Sequence, residues 1–198
     1  MTRVLTAITA ILALCCTTTG QPPADTKDPQ ATVEPRSAPG EGQKFLSRFV
    51  GRWNVEKSFL PRQGPPNQTS GVCTQEMIHG GRFLRSEFTF PGPSGPSTGT
   101  GIIGFDPATG QFTSVWIDSR STRFSHRVSH DKFDGRQIVL FAAGLDGSQG
   151  RPSRTVTTLE DDGKRIVHVQ YVPDGDHGER PMMKLIMTKV APAARADR

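Results

Sequence analysis

From Lys44 onward the chain alternates short runs, in which every second residue tends to be apolar, with clusters of Gly, Pro, Asp and Ser. A period of two marks a strand with one face buried, because successive side chains leave opposite faces of a pleated backbone. Such runs cover residues 53–60, 70–78, 82–90, 98–105, 111–118, 122–130, 136–142, 153–160, 165–172 and 182–189. Ahead of them, Phe45, Leu46, Phe49 and Val50 share one face at helical spacing, which predicts a short helix ended by Gly51.

The separators carry turn chemistry. His79-Gly80-Gly81 predicts a tight hairpin, and Asp106-Pro107-Ala108-Thr109-Gly110 a type I turn with a left-handed exit. Asp-Gly pairs begin at Asp134, Asp146, Asp162 and Asp174, each at or near a strand boundary. No connection is long enough for a crossover helix, so the strands form an antiparallel meander. A meander this wide closes to remove its edges. The predicted fold is all-β: an antiparallel up-and-down barrel of about ten strands behind a short N-terminal helix.

Composition agrees. Gly (21) and Pro (16) are too frequent for a helix bundle or coiled coil, since both break helix interiors. The net charge of +5 is scattered. Its densest stretch, with Arg120, Arg123, Arg127 and Lys132, lacks the aromatic interleaving of an RNA-binding sheet, and no nucleic-acid partner is expected.

Residues 1–20 read as an export signal. Arg3 supplies the positive start, and Val4 to Leu14 form an apolar run too short to span a membrane. Cys15 and Cys16 follow at once, in a pattern similar to the bacterial lipobox, whose Cys is acylated. Cleavage after Gly20 without acylation is the alternative. Residues 21–43 are too polar to offset chain entropy and read as a disordered linker, as does the tail 191–198, leaving 44–190 as the barrel domain. The expected location is the periplasm or outer cell envelope, with the membrane reached through a lipid anchor. Cys73 is then alone in the domain and reads as a small strand filler.

Helix, then Gly51-Arg52-Trp53, resembles the opening of the calycins, the lipocalin and fatty-acid-binding barrels. That resemblance implies that Trp53 plugs the closed end and that Lys184 or Lys189, nearest the last strand's end, packs over it. Three further segments resemble a bacterial family known only as domain of unknown function 1579. They are Gly80-Gly81-Arg82-Phe83-Leu84, Gly101-Ile102-Ile103-Gly104-Phe105-Asp106-Pro107-Ala108-Thr109-Gly110-Gln111-Phe112 and Trp116-Ile117-Asp118-Ser119. The resemblance covers about 45–189 and implies a calycin-like barrel with no settled activity.

Gly99-Thr100-Gly101-Ile102-Ile103-Gly104 satisfies G-x-G-x-x-G, but strand follows it where dinucleotide binding needs a helix. The glycines read instead as room for a bending strand. His126 and His130 lie about 13 Å apart along one strand face, too far to share a metal. Val55 and Lys57 stand where the haem-binding nitrobindin barrels have glycine, so neither metal nor cofactor is expected. No hydrolase signature occurs.

Strand faces then nominate a lumen. Phe112, Ser114, Trp116 and Asp118 share one face of the fifth strand; Phe124, His126, Val128 and His130 share one face of the sixth. Half-apolar, half-polar faces suit a wet, ligand-holding interior, and Arg123, Ser125, Arg127 and Ser129 are then expected outside. On the third strand either face fits inward, and Arg85 and Glu87 are candidates to pair with each other, with Asp118 or with a ligand. The expected function is binding of a small, partly apolar molecule, using Trp116, Asp118, His126, Arg85, Glu87 and Ser114. Two alternatives remain: an envelope interaction module with a filled barrel, and a small hydrolase or isomerase with His126 as base and Asp118 as orienting acid.

Overall fold

The computed structural model describes residues 30, 33, 37–142 and 153–191. Contacts divide the chain into Met1–Arg36 and Ser37–Arg198. In the first unit the described residues form a turn, with the Val33 N–H donating to the Gln30 carbonyl at 3.0 Å. The export segment with Cys15 and Cys16, most of the linker, the Asp146-Gly147 turn and the tail from 192 lie outside the described residues.

The second unit begins with α1 (Glu41–Ser47) and continues through β1 (Gly51–Phe59), β2 (Asn67–Ile78), β3 (Phe83–Phe90), β4 (Ser97–Asp106) and β5 (Gln111–Asp118). Then follow β6 (Ser125–Val128), β7 (Gln137–Ala142), β8 (Arg154–Glu160), β9 (Arg165–Pro173) and β10 (Glu179–Lys189). Each strand pairs antiparallel with its sequence neighbours, and β1 also pairs β10, closing the barrel as expected. Nearly every predicted strand is found within a few residues of its expected bounds. The exception is β6, four residues where nine were expected, because 119–124 turn away before pairing begins.

The turns follow their chemistry. The Gly110 N–H donates to the Asp106 carbonyl at 2.8 Å, and the Asp106 side chain accepts from the Ala108 N–H at 2.9 Å. In the β2–β3 hairpin, His79, Gly80 and Gly81 all take positive φ, which lets the Arg82 N–H reach the Ile78 carbonyl at 3.1 Å.

The core sits at one end of the barrel. Helix α1 starts at Glu41, ahead of the expected 44, because Gln43 fastens its first turn. The Gln43 side chain accepts from the Gly40 N–H at 2.7 Å and donates to the Phe105 carbonyl at 2.7 Å. Phe45, Leu46 and Phe49 are buried, whereas Val50 points to solvent, so the buried stripe is narrower than expected. Phe45, Phe105, Phe112 and Phe133 form a ring cluster with centroids 4.9–6.2 Å apart. Trp53 is fully buried, and its indole N–H donates to the Phe49 carbonyl at 2.9 Å. Lys189 pairs with Trp53 across the β1–β10 seam and holds its ammonium 5.2 Å from the ring centroid. It is Lys189, not Lys184, that covers the tryptophan.

Gly42 is the tight point of the plug. A Cβ there would lie 2.1 Å from the Phe105 ring. Gly42→Ala must displace either the helix or that ring, and is expected to cost about 1–3 kcal/mol by overpacking. Trp53→Ala, which removes the largest fully buried side chain, is expected to cost about 3–5 kcal/mol. Denaturant unfolding of both variants measures these losses. Midpoints equal to the parent chain would show that the plug does not hold the barrel together.

Candidate functional site

Above the plug the barrel is hollow. A cavity of about 470 Å³ runs from Leu46 and Phe49 of the plug toward the opposite rim, where Lys57, Phe90, Asp118 and Arg120 line it. Side chains of a ten-stranded barrel do not meet at the axis unless they are large, and several inward positions here are small or polar. A second, more open space of about 560 Å³ adjoins it under the 91–96 turn and shares Lys57, Phe59, Phe90, Ser97 and Arg120, forming the mouth.

The inner wall has two characters. Leu84 and Phe88 of β3, Trp116 of β5 and Met183 and Leu185 of β10 supply apolar surface. Ser114, Ser125, Arg127, Thr155, Thr157, His168 and Gln170, from β5, β6, β8 and β9, supply polar surface, interrupted by Leu140. The neutral groups are largely held by neighbours. His168 sits opposite Thr157 in the β8–β9 register, with Thr157 Oγ1 2.8 Å from its Nδ1. Gln75 Nε2 donates to Ser86 Oγ at 2.8 Å across β2–β3.

Trp116 makes the cavity's aromatic wall. Its ring meets Phe88 edge-on at 5.5 Å, and its indole N–H donates to Asp118 Oδ2 at 2.8 Å. A Cβ on Gly99 would lie 2.3 Å from the indole. The glycine of the G-x-G-x-x-G sequence therefore makes room for Trp116, within a strand that runs unbroken from Ser97 to Asp106. Asp118 accepts first from Trp116 and also from the Arg120 N–H at 2.9 Å, which together hold its carboxyl below the ordinary range. At the mouth, Lys57 lies 3.6 Å from the Phe90 ring centroid, and burial with nearby Arg120 lowers its pKa.

Of the expected ligand residues, the structure brings Ser114, Trp116 and Asp118 to the cavity. It places the other three elsewhere. Arg85 and Glu87 lie on the outer wall, where Arg85 forms an ion pair with Glu76 and lies 3.7 Å from Glu87. They face out because Leu84, Ser86 and Phe88 take the inner positions of the same strand. His126 also faces out. The inward residues of β6 are Ser125 and Arg127, the reverse of the expected face. Arg127 is tolerated inside because its guanidinium donates to the Ser153 carbonyl at 3.0 Å and to Ser153 Oγ at 3.1 Å. With His126 outside and Asp118 inside, the acid–base pair of the hydrolase reading is not assembled. His130, on the outer face with His126, stacks on Phe141 at 4.1 Å. Among the described residues, no three His, Cys, Asp or Glu side chains converge as metal ligands would. Cys73 is buried and its thiol is pushed up to about 12, mainly by desolvation, which leaves it unreactive.

Sequence reasoning placed Arg127 outside and passed over Gln75, Thr157, Gln170 and the lumen position of His168. The alternation along β9 held a signal for the last. Val167 and Val169 share one face and Ile166, His168 and Gln170 the other, so a polar-bearing face had to lie either in solvent or in a wet lumen. Only Ile166, almost wholly buried, ties that face to the interior.

A closed calycin-like barrel with a hollow, two-sided lumen is the class this geometry defines. Within it, the chain matches over residues 38–189 the family described as "Protein of unknown function (DUF1579)", and it belongs to that family. No curated protein matches it significantly.

The buried side of the site has a pH signature. Desolvation, followed by nearby Arg127, lowers the His168 pKa from 6.5 to about 4. The ring is reached only from the lumen, so it stays neutral in the fold while the unfolded chain titrates near 6.5. Stability is complete above 6.5 and falls as pH drops from 6.5 toward about 4, because the unfolded state takes up the proton first. The expected loss is about 2 kcal/mol, less than the full shift implies because lumen water wets one side of the ring. In His168→Gln that part of the profile should be flat. Unfolding midpoints at intervals between those two pH values test this, and equal slopes in both chains would refute it.

Proposed function

We propose that this barrel binds a small, partly apolar molecule in its lumen. The observation that carries the reading is the cavity of about 470 Å³, within the range of small-molecule sites, with an apolar wall facing a polar one. A filled barrel acting only through its outer face would have no use for an interior kept empty at a cost in packing. The hydrolase or isomerase reading loses its named base, since His126 is on the outer wall. Trp116 serves as the stacking surface, with Asp118 fixing the indole's orientation and Ser114 beside it on the same face. The export-like pattern of residues 1–20, with Cys15 or Cys16 as a lipid attachment point, supports a binding protein of the cell envelope tethered to the membrane.

Titration with phenylnaphthylamine, an uncharged probe that fluoresces in apolar surroundings, tests the reading. Saturable binding of one probe per chain is expected, with quenching of Trp116 and little change in Trp53, which is buried within the plug and does not line the cavity. Ser114→Phe, which fills the cavity from within, should weaken binding by about tenfold or more. No saturable binding, or equal binding in the filled variant with its fold intact by circular dichroism, would remove the proposal.

A further inference from the structure

We infer that the molecule held in the lumen is an amphipathic organic anion, whose acid group is received by Arg127 and whose apolar body lies against Trp116, Phe88 and Leu185. The inference rests on the lumen-binding reading and names its ligand class.

Among the described residues, Arg127 is the only charged side chain placed midway along the cavity wall, directly opposite Ser114 in the β5–β6 register. A guanidinium presents five N–H donors in a planar fork suited to a carboxylate or sulfonate. Here it donates to the neutral carbonyl and hydroxyl of Ser153, and no ion pair joins it to an acid among the described residues. A charge drawn into low-polarity surroundings without a counter-ion is unfavourable, and burial indeed lowers the Arg127 pKa. A guest anion supplies what is missing.

The rest of the cavity has the same bias. Its ionised lining residues are Lys57, Arg120 and Arg127 against Asp118, three positive and one negative. Asp118 is already occupied by the Trp116 indole and the Arg120 N–H. His168 stays neutral beside Arg127. In the Nε2–H tautomer, where Nδ1 accepts from Thr157, the ring offers a second donor with no partner among the described residues. Deeper in, Gln75 is more than nine-tenths buried and leaves Oε1 without a partner among the described residues. Native interiors seldom leave such an atom unsatisfied. An acceptor at that depth suits a guest with a hydroxyl or amide on its inner end. The mainly apolar lining selects against a small inorganic anion, which cannot replace its hydration there.

Two probes with the same rings separate this inference from the one beneath it: anilinonaphthalene sulfonate and the uncharged phenylnaphthylamine. The intact chain should bind the sulfonate about tenfold more tightly or better, as a charge-assisted pair allows. Arg127→Gln should abolish that preference while uncharged-probe affinity stays within about twofold. Arg127→Lys, which keeps the charge but not the fork, should retain part of it. If Arg127→Gln does not fold, displacement of the uncharged probe from the intact chain by naphthoate against naphthamide reads the same preference without a mutation. Equal affinity for the two probes, or for the two competitors, overturns the anion inference and leaves lumen binding standing. So does a preference that survives Arg127→Gln. Failure of both probes to bind removes both.

Discussion

The seam between the first and last strands is the constraint on which this molecule depends. Residues 53–59 pair in register with 183–189, so no strand edge is left open. Backbone groups buried in a sheet must be hydrogen-bonded, and a closed ladder meets that demand by itself. The frame is therefore complete before any side chain fills the interior. A sandwich, whose two sheets need each other's side chains, has no such freedom. At one end of the seam Trp53 and Lys189 face each other, and there α1 and the phenylalanine cluster form a dense plug. Packing is concentrated at that end and given up at the other, which lets a stable protein keep a hollow centre.

The hollow is organised. Its neutral polar groups are held by neighbours across the strands: Gln75 by Ser86, His168 by Thr157, and the Trp116 indole by Asp118. Side chains fixed in this way need little ordering when a guest arrives, which favours binding. The charges are arranged less evenly. The negative one is consumed within the wall, while Arg127 is held, among the described residues, by neutral groups alone. A lumen that is apolar on one side and donor-rich on the other orients a guest along one axis.

The sheet shows where reading by alternation succeeds and where it fails. On β5, Phe112 is buried and Ser114, Trp116 and Asp118 follow it inward, while Val115 and Ile117 face solvent, so the strand was read correctly. On β3 the pattern was ambiguous, because Phe83 and Phe88 sit on opposite faces and each face carries polar residues. On β6 it misled. The strand is four residues long and follows an irregular turn, so counting from Asp118 does not set its parity. Its inner residue is an arginine, which hydropathy assigns to solvent. A charge enters the wall only when partners elsewhere receive it, and here they come from Ser153, distant in sequence.

Local signals by themselves determined the all-β class, the antiparallel meander, its ten strands and the turn positions, while the role of Trp53 came from the resemblance to the calycins. Each of the former depends on residues near one another in the chain: a two-residue period and Asp-Gly and Pro-containing turns. The tertiary structure alone decided which lysine covers the plug, which face of β3 and β6 points inward, and that Arg127 and His168 stand on one wall of a common cavity. Those outcomes are set by strand register around a closed circle. There a shift of one residue turns every side chain to the other face, and no local stretch of sequence records the sum of ten such registers.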